Sequence, residues 1–159
     1  MVATNLIGTK EAPGPSNNPT ILSWAKRLGT KALGIVYNAD SVPWCGVFAA
    51  HCVREAGLTP RPIAVRAKSW ATWEANLAAD KLVPGAVLVF EREGGGHVGF
   101  YVGEDATCYH VCGGNQSDAV NITRIEKSRC VARRWPRGVA VVGKRVFLDA
   151  KGKVSKKEA

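Results

Sequence analysis

The hydrophobic and polar positions of this chain change period near its middle, from helical spacing to strand-like alternation. From Thr20 the run ILSWAKRLGTKALG places Ile21, Leu22, Trp24, Ala25 and Leu28 near helical spacing, with Gly29 and Gly34 available as stops, and predicts an amphipathic helix. The next run, NADSVPWCGVFAAHCVREAGL, offers Asp40 or Ser41 as a cap and Pro43 near the first turn. Apolar residues then occupy almost the whole circumference until Arg54 and Glu55, the pattern of a short helix buried on all sides. RAKSWATWEANLA predicts a third helix starting near Ser69 or Thr72. Past Pro84 the runs GAVLVFERE, HVGFYVGED, TCYHVCGG, AVNITRIEK and VARRWP are rich in β-branched and aromatic residues and separated by Gly, Asp and Asn, so they read as strands. GVAVVGKRVFLD predicts a closing hairpin. Helices followed by an antiparallel sheet define the α+β class.

Turn-forming residues bound this pattern. EAPGPSNNP at 11–19 reads as the end of a flexible lead covering residues 1–18, which leaves one domain over 19–149 and a basic tail over 150–159. A length of 159 residues with 46% hydrophobic content suits a single core, and a monomer is expected. The sequence contains no apolar run long enough to span a membrane, and its first residues lack the charged start and apolar block of a secretory signal, so synthesis in the cytoplasm is expected. Five cysteines, Cys45, Cys52, Cys108, Cys112 and Cys130, are odd in number and irregular in spacing, and are read as reduced thiols.

Charge adds a partner. The net charge of +9 sits almost wholly in residues 129–159, which hold ten of the 22 Lys and Arg but only two of the 13 acidic residues. A solvated tail is the commonest reading of such a run. Nucleic acid is not expected as a partner, because only Trp135 interrupts the charges and no recognition module accompanies them. Attraction to an anionic bacterial surface is the favoured role.

The candidate chemistry centres on Cys45. At the start of the second helix a thiolate is stabilised by the unpaired backbone N–H groups and the partial positive charge there, and the same donors suit an oxyanion formed on a substrate carbonyl. Cys52, in mid-helix on the stripe of Phe48 and Ala49, reads as a core residue. Of three histidines, His51 follows Cys45 by six residues and is turned away from it, which leaves it a structural or surface role. His97 opens the strand HVGFYV, where alternation sends Val98, Phe100 and Val102 to one face and His97, Gly99 and Tyr101 to the other. Glycines 94, 95, 96 and 99 leave room around its ring. His97 is therefore the expected base, and His110 lies on a less open strand. The turn GGNQSD supplies Asn115, Gln116 and Asp118 as groups to orient the imidazole, with Asn115 preferred. Trp44, Gly96, Tyr101 and Gln116 complete the expected substrate cleft; Trp24, Trp70, Trp73 and Trp135 are expected to pack.

Taken together, PWCGVFAAHCVREAG, PGAVLVFEREGGGHVGFYVGED and HVCGGNQSDAVNI resemble the CHAP-like and NlpC/P60-like cysteine peptidase families over roughly residues 20–135, and in particular the small phage and prophage wall-lysis proteins among them. The resemblance implies a papain-like fold with the nucleophile at a helix start against an antiparallel sheet. It also implies cleavage of an amide or peptide bond of peptidoglycan, with Cys45 matching the nucleophile, His97 the base and Asn115 the polar third residue. No cofactor is required by such a cycle. An endolysin released to the wall by a holin, or an antibacterial effector delivered by a secretion system, fits this reading.

Two further readings compete. Cys108, His110 and Cys112 alternate on one strand face and invite a metal. At about 3.3 Å per residue, however, the outer two stand roughly 13 Å apart, whereas thiolates sharing one zinc lie within about 4 Å, so no metal is expected. The alternative to an enzyme is a basic, non-catalytic binding module of a phage particle or secreted assembly.

Overall fold

The computed structural model describes residues 2–13, 16–35, 37, 43–156 and 158. The described chain is α+β: three α-helices, α1 (Val2–Asn5), α2 (Pro19–Leu33) and α3 (Cys45–Glu55), precede an antiparallel sheet of six strands. The strands are β1 (Ala75–Asn76), β2 (Val87–Arg92), β3 (Gly95–Glu104), β4 (Cys108–Gln116), β5 (Ala119–Glu126) and β6 (Cys130–Trp135), arranged in the order β1-β6-β2-β3-β4-β5. Among the described residues no helix is long and apolar enough to cross a membrane.

Helix α2 begins where Asn18 Oδ1 accepts from the N–H groups of Thr20 (2.7 Å) and Ile21 (3.4 Å), with Pro19 in the first turn. Both expected stops act. Gly29, at φ 83°, breaks the run, and Gly34, at φ 89°, caps it with its N–H on Thr30 O. Ile21, Trp24, Ala25 and Leu28 face α3, all of whose residues from Cys45 to Val53 are buried. Asp40 and Ser41, the expected caps of α3, lie outside the described residues. Trp44 occupies the cap position and makes no side-chain capping bond.

The sheet separates two cores. Val87, Val89, Val98, Phe100, Cys112 and Val120 pack beneath the helices, while Leu88, Phe90, Tyr101, Tyr109, Val111 and Ile125 fill the opposite face. Alternation along β2, β3 and β4 dictates this division, since consecutive side chains leave opposite faces.

Elsewhere tertiary contacts override local pattern. The expected third helix is a 3-10 helix at Ala67–Thr72 followed directly by β1. Trp70 and Trp73 enter the core there, with their indole N–H groups on Ala64 O and Thr59 O. The expected hairpin over 138–149 is absent. Val139, Val141, Val142, Phe147 and Leu148 are exposed, and polar anchors hold the chain instead: Arg145 on Glu104, and the Val146 N–H on the Tyr101 hydroxyl (3.0 Å).

The expected flexible lead is built into the fold. Ala3 is buried against the helices, Gly8 N–H donates to Val120 O, Val120 N–H to Thr9 O, and Glu11 N–H to Asp118 O. Apolar Val2, Ala3 and Leu6 supply the surface that a solvated lead would lack. The basic tail, expected to be solvated or to meet an anionic surface, is docked at residues 154–155, with Val154 bridging to Arg124 and Ser155 N–H donating to Arg124 O.

Glu104 is the hub of the face that carries Tyr101. Burial acts to raise its pKa, but hydrogen bonds from Arg145, Lys127 and the Tyr101 hydroxyl outweigh this and hold the carboxyl down at about 2. Replacing it leaves three donors without their acceptor. Because Lys127 and Arg145 remain partly hydrated, we expect Glu104→Ala to cost roughly 2–4 kcal/mol, measured as a loss of unfolding free energy in urea.

Candidate active site

Cys45 opens α3 with its thiol fully buried. Burial pushes the thiol pKa up, opposed by the backbone N–H of Val98, the charge of Arg92, and the N–H groups of Gly46 and of Cys45 itself. An uncapped helix start is what leaves those two α3 donors free to face sulfur. Through the Val98 N–H the Cys45 thiol meets β3 one residue past His97, on the helix-covered side of the sheet, whereas His97 lies on the side of Phe90 and no hydrogen bond joins its Nδ1 to the thiol.

His97 is completely buried on the face of the sheet that carries Phe90, whose ring centroid lies 6.4 Å away. Its Nε2 is 2.9 Å from Gln116 Oε1. The amide of Gln116 has only one sensible orientation. Its nitrogen lies among three acceptors, Val111 O (3.1 Å), Asn121 O (2.8 Å) and Asn121 Oδ1 (2.9 Å), so its oxygen must face His97. Asn121 is fixed in turn by donating to Gln116 O and accepting from the Thr123 hydroxyl. An oxygen facing Nε2 requires that nitrogen to carry the proton. Nδ1 is then bare, and among the described residues it has no hydrogen-bond partner. Burial lowers the imidazole pKa to about 4, against the opposing influence of Gln116 and the charge of Glu158. At neutral pH the site therefore holds a neutral thiol and a neutral imidazole.

Two glycines make this approach geometrically feasible. A Cβ on Gly113 would stand 2.6 Å from Gln116 Oε1 and 3.1 Å from His97 Nε2. One on Gly114 would stand 2.7 Å from Phe48 Cβ and 2.8 Å from the Trp44 ring, which separates α3 from β4.

The orienting group is thus Gln116 and not Asn115, which was expected. Asn115 Nδ2 donates instead to Glu158 O (3.2 Å). The cause is a break in register between Gly113 and Gln116 where β4 meets β5, with Asn115 at φ 60°. Plain alternation from Gly113 would put Asn115 on the His97 side, and the irregularity puts Gln116 there instead.

Other expected cleft residues are packed. Tyr101 is fully buried, its hydroxyl donating to Glu104 Oε2 at 2.7 Å. Trp44 is fully buried with its indole N–H on Glu11 Oε2 (3.2 Å) and lines no open surface. Gly96 accepts from Arg92 Nε (3.0 Å), and its Cα faces Lys68. His51 stacks on Trp24 at 5.0 Å, and His110 bonds Asp105 Oδ2 at 2.8 Å, so both have structural work. The Gln116–Asn121–Thr123 relay was not anticipated; its only trace in the sequence is a run of polar residues on a strand. All five cysteines are unpaired, and no three metal-ligating side chains converge among the described residues. Much of the basic end is engaged internally: Arg129 with Glu158, Arg134 with the carbonyls of Trp73 and Glu74, Arg145 with Glu104, and Lys156 with Glu126.

No model of a known protein family matches the chain, and no curated protein sequence matches it.

Two expectations test the buried imidazole. In the unfolded chain His97 takes up a proton near its ordinary value of 6.5, and in the fold only near 4. Between those values the unfolded state binds more protons, so stability should be complete above pH 6.5 and decline as pH falls towards 4, by up to about 3 kcal/mol. His97→Phe should remove most of that slope in urea titrations at pH 7 and pH 4.5; the remainder comes from His51, whose pKa burial also lowers, and from carboxyls held below their ordinary values, such as Glu104 and Glu158. Gln116→Glu should raise the His97 pKa by more than one unit in an NMR titration, because it places a carboxylate on Nε2.

Proposed function

We propose that the chain is a cysteine-dependent amide hydrolase of the papain-like, CHAP-like plan, acting on peptides of the bacterial cell wall. The observation that carries this reading is His97 Nδ1: a buried basic nitrogen, kept bare by the orientation of the Gln116 amide, at the end of β3 where the Cys45 thiol meets the Val98 N–H. A merely structural histidine would satisfy both ring nitrogens, as buried polar groups usually do.

The cycle runs by acyl transfer. The thiol and Nδ1, which share no hydrogen bond in the free protein, come into reach when substrate binds; Nδ1 then takes the proton from Cys45 as sulfur attacks the substrate carbonyl, and the oxyanion is held by N–H groups at the start of α3. The amine departs with the proton carried on Nδ1, leaving a thioester. Water, giving a proton to the same nitrogen, then releases the acid and restores the thiol. Gln116 holds the ring without adding charge, so the base stays weak and its proton is readily returned. The substrate class rests on the resemblance of the Cys45, His97 and GGNQSD segments to CHAP-like and NlpC/P60-like enzymes. On this reading the chain meets the wall after export by a holin-type or secretion route.

Purified peptidoglycan provides the test. Cys45→Ala and His97→Ala should each lower the rate of turbidity loss at least 1,000-fold, and Gln116→Ala about 10- to 100-fold. If the first two variants are folded and clear walls as fast as the parent, the binding-module reading replaces the enzyme. Mass spectrometry of the fragments then distinguishes cleavage at the muramyl amide from cleavage within the peptide. Because activity needs the neutral imidazole, the acid limb of kcat/KM should fall near pH 4 and not near 6.5.

A further inference from the structure

Ser155 and Glu158 are held beside His97 much as a peptide ligand would be. Ser155 N–H donates to Arg124 O (2.8 Å), and Arg129 Nη1 donates to Ser155 O (3.0 Å). Arg129 also grips the Glu158 carboxylate through both terminal nitrogens, and the Ser155 hydroxyl donates to the same carboxylate. Asn115 Nδ2 holds the Glu158 carbonyl. The carboxylate is wholly buried, although Lys153 and Lys156 nearby are exposed. It is close enough to His97 that its charge raises the imidazole pKa and the imidazole lowers that of the carboxyl.

The socket does not depend on this segment for its shape. Arg129 is fixed by its Nε, which donates to Glu91 O at 2.9 Å, and Asn115 is set by the register break in β4. A planar guanidinium fixed at its inner nitrogen presents its outer two as a fork matched to a carboxylate. Burying an anion is costly unless such donors are already in place, and here they stand beside the base.

We propose that Arg129 and Asn115 form the recognition site for a carboxylate-bearing peptide segment of the substrate, and that Ser155 and Glu158 fill this site in cis as a competing pseudo-ligand. The proposal rests on the reading of His97 as the catalytic base and deepens it: Arg129 takes the acidic side chain or terminal carboxylate, Asn115 takes a main-chain carbonyl, and the bond to be cut lies alongside at His97. Cell-wall peptides, which carry free carboxylates, have the required chemistry. Substrate must displace Glu158 to bind.

A fluorescein-labelled synthetic peptide with the sequence of residues 153–159, added in trans to the full chain, tests this by fluorescence anisotropy. Glu158→Ala vacates the carboxylate site, and we expect the peptide to bind that variant at least ten-fold more tightly than it binds the parent. Replacing the peptide's Glu by Gln should reverse the gain, as should Arg129→Gln in the Glu158→Ala background. Should Arg129→Gln fail to fold, Arg129→Lys retains the cation but loses the fork and should still weaken binding several-fold. Equal binding to parent and Glu158→Ala, no binding to either, or indifference to the peptide's carboxylate overturns the proposal and makes the segment a structural strap. Turnover is not involved in this measurement. Carboxylate-dependent binding with inert walls therefore defeats the hydrolase reading alone, while active walls without it defeat only the recognition site.

Discussion

Burying an imidazole without a charged partner on either nitrogen requires the environment to decide where its single proton sits, and the hydrogen bond from His97 Nε2–H to Gln116 Oε1 makes that decision. Everything near the site is arranged around keeping that amide in one orientation. Three acceptors surround its nitrogen, Asn121 is locked against it from both sides, and Thr123 completes the relay. Were the amide to turn over, an oxygen would face three oxygens and an N–H would face Nε2; several hydrogen bonds would fail together. The tautomer is thus specified by strands β4 and β5.

The same constraint explains the local sequence of β4. Two successive glycines give up side chains so that an imidazole, an amide, a tryptophan ring and a helix start can all approach one strand closely. The break in register that follows is what turns Gln116 inward and releases Asn115 to the outer side of the site. Sheet irregularity here sets the identity of the group that meets His97.

The sequence makes the alternating strands, the two glycine stops of α2 and the buried circumference of α3 legible, because each depends on a local period or a local φ. Cys45 at a helix start and His97 at a strand start were legible for the same reason. Asn115 was preferred over Gln116 because a register break is decided by pairing between strands, which no local pattern encodes. Trp44 and Tyr101 were expected at an open cleft but are buried, since neither shows in sequence which way its polar atom will find a partner: Glu11 for the indole, Glu104 for the phenol. The short 3-10 helix at Ala67–Thr72 and the missing hairpin after Gly138 have a common origin, in that distant polar anchors outcompeted a plausible local pattern.

The manner in which the two ends of the described chain meet β5 has a consequence for the molecule's behaviour among its own kind. β5 is an outer strand of the sheet, and residues 8–11 cover its beginning near Ala119 while residues 154–155 cover its middle at Arg124. The opposite edge is only two residues long. Backbone groups that would otherwise template another chain are thereby occupied. A molecule in which residues 154–155 have left Arg124 is also one with an uncovered strand, so release of this segment would carry with it a tendency to associate edge to edge.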